Sequence, residues 1–414
     1  MANTLLTPTI ITKEALRVLE NNLVAAKYVN REPEVIGELT GPRKIGDSIT
    51  VRKPNRFTVR SGVTYSAQDV TETSAIVQLA TQIGVDFEFG AKELTLSIDQ
   101  FSKRYLIPAM ATLANKIDLD ILAQYAVIAN QVGTPATTPA TFAAILDVAK
   151  KLDICSVPRD ELRQLVVDAN ANAALADALK GLFNPGSQIS ETIKKGMIAS
   201  QLGGFNGVYM DQNIPIHTVG PLGGTPVVSG ASQGILVGYA DYTDLLTSGW
   251  TAAAAVRLNR GDVITLALVY GVNPQSRQST GVLQQFACSS ITEGNVSSDG
   301  SGVATIRIRP AIIAGGPYQN VTVRPAASAA VTVTGTAATA YPINLGFHRD
   351  AMCLVSVPFE MPKGVDFAAQ ETYKGITMSI VRWFDGTNHK FPCRVDVLYG
   401  VKVLYPELAC RLIG

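Results

Sequence analysis

The stretch from Glu93 to Gly133, ELTLSIDQFSKRYLIPAMATLANKIDLDILAQYAVIANQVG, holds the longest helical pattern in the chain. Leu106, Met110, Leu113, Ile117, Ile121, Tyr125 and Ile128 recur at intervals of three and four, which lines one face of a helix. Ser97 followed by Gln100 has the spacing of a capping box, and Gly133 with Pro135 and Pro139 beyond it supplies a stop. Pro108 lies inside the pattern. It removes one backbone hydrogen bond, so the stretch is expected to kink, or to restart as a long helix near Pro108 after a short entry helix. Taken alone this is an ordinary amphipathic core helix; its neighbours make it the spine of the chain. Asp118 and Asp120 point about 200° apart on such a helix and cannot both face one metal, so they read as solvated or salt-bridged surface carboxylates.

Upstream, residues 1–40 read as an amino-terminal arm. A helix from Thr12 to Tyr28 would carry Leu16, Leu19, Leu23 and Ala26 on one side, a stripe that needs a partner surface. Over residues 41–90 the period changes to two, with Ile49 and Val51, Phe57 and Val59, then Ile76, Val77, Leu79, Ile83, Val85, Phe87 and Phe89. The intervening RKPNRFTVRSGVTYSAQDVTETS is too poor in large apolar residues to own a core, and reads as a long projecting hairpin. Arg43, Lys44, Arg52, Lys53, Arg56 and Arg60 make its first limb basic, opposed only by Asp47. Such a charge run is either a solvated face or an arm that lies across a neighbouring subunit carrying Asp and Glu.

Downstream of the spine, residues 91–138, the segment 139–225 alternates helix and strand. A helix is expected from Thr141 to Leu152, a short buried strand at Gln164–Asp168, an alanine-rich helix from Asn170 to Leu182, and a further helix near Ser190–Ile198. This marks a compact α/β unit. From Pro226 to Tyr341 there is no lysine, and β-type runs follow one another at Val263–Val269, Leu283–Ala287, Val303–Ile308, Val321–Val323 and Val331–Val333. Residues 226–341 therefore read as an antiparallel β domain inserted into a host. The host resumes at 342–414 with strands in which Ile376, Met378 and Ile380 alternate with Thr377 and Ser379.

At 414 residues the chain exceeds the size of a single core, so two or three folding units are expected. A net charge of +1, with 35 basic against 34 acidic residues, argues against a free-standing nucleic-acid binder. No apolar window is long enough for a membrane helix, and the amino terminus lacks the basic leader and continuous apolar run of a signal peptide, so folding in a cytoplasm is expected. Cys155, Cys288, Cys353, Cys393 and Cys410 are odd in number and form no CxxC, which points to buried reduced thiols and to no metal site. HExxH, GxSxG, GxGxxG and GxxxxGK are all absent. The three histidines do not cluster: His217 sits in a strand as a satisfied side chain, His348 in a polar turn before a strand, and His389 at a hairpin tip. No catalytic or cofactor-binding residue is assigned.

In this order, arm, hairpin, spine helix, α/β unit, inserted β domain and closing strands, the chain resembles the major capsid proteins of tailed phages. More narrowly it resembles the Salmonella phage P-22 coat-like family, which has an inserted domain within an α+β fold of HK-97 type. The residues that carry the resemblance are ELTLSIDQF and RYLIPAMATLANKIDLDIL before and in the spine, GFNGVYMDQNIPIHTVG at the edge of the insertion, LNRGDVITLALVYGVNPQS inside it, and NLGFHRDAMCLVSVPFEMP after it. The LNRGD element, Leu258–Asp262, stands where the family's inserted domain has its strand entrance.

The resemblance implies a shell subunit that assembles with copies of itself as hexamers and pentamers. It implies help from a scaffolding protein and a portal protein, in a host bacterial cytoplasm, and an icosahedral shell whose inner face touches packaged double-stranded DNA non-specifically. It implies no cofactor, no enzyme activity and no membrane. Residues 139–225 would form the axial domain, the spine and closing strands the peripheral domain, and the basic hairpin a clasp on the next subunit. Other readings are an encapsulin-like compartment, a β-rich virion decoration or adhesin protein built on residues 226–341, and an enzyme of unrecognised type. A neighbouring terminase and portal gene separates the first from a phage coat; a secretion signal would favour the second, which leaves the spine unexplained.

Overall fold

The computed structural model describes residues 8–32, 48–60, 62–65, 67–68, 72–90, 105–179 and 202–414. Ser97 and Gln100, the helix expected near Ser190–Ile198, and Arg43 and Lys44 lie outside these residues. The chain divides into two units, the first made of Met1–Lys53, Ser74–Ile121 and Met352–Leu404, the second of Pro54–Thr73, Leu122–Ala351 and Tyr405–Gly414. The protein is of α+β class.

The first unit is built on a sheet in which Met352–Ser356, Lys390–Val403, Ile376–Arg382 and Phe367–Tyr373 are neighbours in that order. Thr81–Gly90 pairs antiparallel with Lys390–Tyr399, bringing Asp86 opposite Arg394. Helix Pro8–Asn22 packs on Phe367–Tyr373 and Ile376–Arg382. Within the expected arm, helix Pro8–Asn22 is therefore not free. The partner its stripe requires is the sheet of its own unit, where Ala15, Leu16, Leu19 and Leu23 are buried, each leucine worth about 1.5–3 kcal/mol of burial. Beyond the helix, Arg31 pairs with Glu20 at 2.6 Å, both side chains 7% exposed, and donates twice to the Ala26 carbonyl. Thr377 and Ser379 are buried as well as Ile376, Met378 and Ile380, so that strand is covered on both faces instead of half-buried.

The spine helix runs Ile107–Leu122 and continues as a 3-10 turn, Ala123–Val127. A π turn at Tyr105–Leu106 runs into it, and Pro108 stands in the first turn of the α-helix, where its missing donor is tolerated. Leu106, Met110, Leu113, Ile117 and Ile121 are buried, whereas Tyr125 lies in the 3-10 turn and Ile128 just past it. Asp118 corrects the reading of a surface carboxylate: it is 1% exposed. Its Oδ2 accepts from Val24 N at 2.8 Å and its Oδ1 from Ala26 N at 2.7 Å. The cause is the short 3-10 turn Ala26–Tyr28, whose first N–H groups have no intrahelical partner and would be orphaned in the core. Asp120 does pair with Lys116, and it accepts from the Tyr399 hydroxyl at 2.6 Å.

Among the described residues the second unit has two six-stranded sheets and a two-stranded pair, Ala255–Leu258 with Val296–Ser298. In one, Gln131–Gly133, Ala409–Ile413, Ala340–His348, Arg163–Val167 and Gly207–Met210 are neighbours in that order, with Ile216–Thr218 on the first residues of Ala340–His348. Arg163–Val167 is buried at every position, and helix Phe142–Ile154 covers it with Ile145, Val148, Ala149 and Leu152. The alanine-rich helix is described over Ala169–Leu179.

The other sheet has the order Val331–Val333, Val263–Val272, Ser279–Ser289, Ala304–Arg309, Thr243–Trp250, Gly224–Val228. It closes on itself where Val227 bridges Ala330 and Val228 N donates to Ala329 O at 2.9 Å, so no edge is left open there. Leu245, Ile264, Leu266, Phe286, Ile306 and Ile308 fill the barrel. Val321–Val323 forms no strand of its own; Val321 bridges Gly271. Thr243–Trp250, a central strand, was hidden from the period-two reading because Leu245 and Leu246 sit side by side in it.

Candidate functional site

The candidate site is the loop Pro54–Thr73 between strands Ser48–Lys53 and Thr73–Gln78, which pair with each other. Ile49, Val51, Ala75 and Val77 face inward, and Ile76 is 58% exposed, so the buried face of the return strand is set by its odd-numbered residues. Between Lys53 and Thr73 the described residues form no strand. Thr58 and Gln68 brace the two limbs: Thr58 N donates to Gln68 Oε1 at 2.7 Å, and the Gln68 amide returns a bond to the Thr58 carbonyl at 2.5 Å.

The basic residues of the first limb have different fates. Arg52 is exposed on its strand and makes no ion pair among the described residues; Lys53 is half-buried at the strand end. Arg56 meets Glu407 of its own chain at 2.5 Å and lies 5.8 Å from the centre of the Tyr318 ring. Arg60 donates to the carbonyls of Gly62 and Thr64, closing the tip of the loop on itself. Next to Arg56, the Phe57 carbonyl accepts from Arg277 Nη2 at 2.7 Å. Tyr318 packs against Tyr239 with ring centres 5.0 Å apart and planes inclined at 60°, and burial followed by the Glu407 carboxylate pushes the Tyr405 phenol up to about 12. The loop root thus rests in a seat made of Arg277, Tyr318, Tyr239, Tyr405 and Glu407.

Sequence reasoning did not find that seat. Glu407 is 351 positions from Arg56 and Arg277 is 220 from Phe57, with no local pattern to join them.

The tip contrasts with the root. Val59 and Val63 are each 97% exposed, Tyr65 84% and Phe57 57%. This apolar surface is left uncovered by the described residues of the second unit.

The only histidine-carboxylate hub of the second unit that is shut off from solvent lies elsewhere among the described residues. His217 Nε2 is 2.8 Å from Asp262 Oδ1, and its Nδ1 is 3.1 Å from the Tyr125 hydroxyl. The same carboxylate accepts from Asn259 N at 2.7 Å and Gly220 N at 3.1 Å, and Arg411 Nη1 donates to the Gly261 carbonyl at 2.6 Å. Gly261 has φ +95°, and a Cβ there would meet the Ala126 backbone at 3.2 Å. His217 is 2% exposed and Asp262 1%. No substrate reaches them; they bind the LNRGD turn to the strand Ile216–Thr218 and to the 3-10 turn after the spine. His348 is also buried, at the end of its strand and not in a turn before one, with Nε2 3.0 Å from Asp160. The five cysteines are free, four of them buried, and burial raises the pKa of each of those thiols. Among the described residues no group of His, Cys, Asp and Glu is arranged to hold a metal ion, and no helix is long and apolar enough to cross a membrane.

The sequence matches the family profile described as "P22 coat protein - gene protein 5" over residues 1–414. The chain belongs to the P22 coat protein family. This coat protein is a phage capsid subunit, a structural protein that assembles with copies of itself and not an enzyme. No curated protein matches it in sequence. Among solved structures it is similar to a chain from Mycobacterium phage Che8, at 12% identity over 94% of this chain and 90% of that one, with a TM-score of 0.42. The capsid of cyanophage P-SCSP1u gives 11% identity over 92% and 86%, TM-score 0.42, and a virus-like particle from Pyrococcus furiosus 10% over 96% and 96%, TM-score 0.39. The coat protein's exposed loop tip, and the buried hub that braces its barrel, are features of a building block: one displays surface, the other holds shape.

Proposed function

We propose that this coat protein has the HK-97-type fold and forms the icosahedral shell of a tailed double-stranded DNA phage, assembling as hexamers and pentamers in the host bacterial cytoplasm. A scaffolding protein and a portal protein take part in assembly. The inner face touches packaged DNA without sequence preference, since a net charge of +1 supplies little of the phosphate neutralisation that tight binding needs. Residues 139–225 serve as the axial domain, residues 226–341 as an inserted domain and the spine with the closing strands as the peripheral domain. The loop clasps the next subunit.

The observation that carries this reading is the loop tip. Val59, Val63 and Tyr65 display apolar surface that a lone subunit gains nothing by exposing, and that an interface between copies would bury. Arg52, exposed on its strand, steers the approach, and the apolar tip supplies the contact. Purified protein, alone or with its scaffolding protein, is expected to form large hollow particles by negative-stain electron microscopy. A strictly monomeric species at high concentration under both conditions overturns the proposal.

A further inference from the structure

We infer that the seat which holds Arg56 and Phe57 in the single chain is the socket that takes the same residues of a second copy in the assembled shell. The inference rests on the reading of the loop as a clasp, and it names the surface clasped.

The seat has the makings of a binding site. It offers a carboxylate, Glu407, an aromatic face, Tyr318 backed by Tyr239, and a guanidinium, Arg277, aimed at a backbone carbonyl. Each meets a different feature of the root: the Arg56 charge, the Arg56 plane and the Phe57 carbonyl. Every one of these contacts is between segments remote in sequence, so the local chain does not dictate which copy's root fills the seat. A second copy presents the same residues in the same order, and exchange of an identical element between protomers loses no contact.

Release is easy. The Arg56 and Glu407 side chains are 35% and 32% exposed, and a pair so open to water holds weakly. The bare tip beyond the root then decides the direction: exchange carries Val59, Val63 and Tyr65 onto a neighbour, whereas retention leaves them in solvent.

The test uses charge reversal in the full chain. Arg56→Glu and Glu407→Arg each set like charges in the seat, whichever copy fills it, and each alone is expected to lower particle yield about tenfold or more. The double variant restores the pair both within a chain and between chains. An equal mixture of the two single variants restores it between chains only. Recovery of particles in the double variant and in the mixture is the expected result. Recovery in the double variant without the mixture shows that each seat keeps its own loop, and overturns the exchange. Undiminished assembly of both single variants overturns it too. Circular dichroism of the unassembled variants reports that they fold, and the double variant stands in where a single one does not. Failure of the wild-type protein to assemble at all is a separate result, and defeats the shell reading before any variant is made.

Discussion

Asp118 shows how one side chain organises its surroundings. Its two oxygens satisfy the N–H groups of Val24 and Ala26, which the break after helix Pro8–Asn22 leaves without partners in a dry environment. Hydrogen bonds to a charged group are worth about 1.5–3 kcal/mol each, so Asp118→Ala is expected to cost about 3 kcal/mol or more by urea unfolding. Asp118→Asn keeps one acceptor and is expected to cost less; equal loss for both variants would mean that the charge, and not the geometry, is what matters. Nothing in the sequence says which of Asp118 and Asp120, about 200° apart on the helix, turns toward the core. The difference lies in which neighbour each meets. Asp262 is the complementary case: its place in LNRGD is visible as a turn, but its hold on His217 and Gly220 depends on a fold that brings residues about forty positions upstream against it.

At the scale of elements, the amphipathic stripe of helix Pro8–Asn22 was legible and its destination was not. Periodicity says that Leu16 and Leu19 need a partner, without saying whether that partner belongs to the same chain. They are buried on strands Phe367–Tyr373 and Ile376–Arg382, some 350 residues away. Leu19→Ala is accordingly expected to destabilise the unassembled subunit by about 2–5 kcal/mol, the usual result of truncating a buried leucine. The check is thermal or urea unfolding of the monomeric fraction; a change under 1 kcal/mol would return the helix to the status of an arm that waits for a neighbour. The spine shows the reverse balance. Its apolar face as far as Ile121 and its restart at Pro108 followed from local rules, because helix geometry and the missing proline donor act over a few residues; its end did not, since the α-helix stops at Leu122 and Gln131–Gly133 is a strand paired with Ala409–Ile413. The barrel lies between these cases, with its strands partly visible as β runs and its closure at Val227 and Ala330 invisible.

For the whole molecule, root and tip of the extended loop give different expectations. Replacing Val63 and Tyr65 with serine removes apolar surface that is already in water, so the stability of the subunit should stay within about 0.5 kcal/mol. Particle formation should nevertheless fall sharply, because the surface an interface would bury is gone; unchanged particle yield would remove the tip from the assembly contact. The amino-acid sequence by itself determined the α+β class, the spine helix, the run of β strands after Pro226, the exposed character of the loop, and membership of the coat protein family. Each of these is written in periods of two or 3.6 residues, in turn residues, or in motif order, and needs no knowledge of distant partners. Only the tertiary structure decided that the amino-terminal helix is part of a core, that Asp118 is buried, and that Arg56 rests against Glu407 and Tyr318. Those outcomes are meetings between segments hundreds of residues apart, and no local rule of spacing or charge selects which of many available partners a side chain finds.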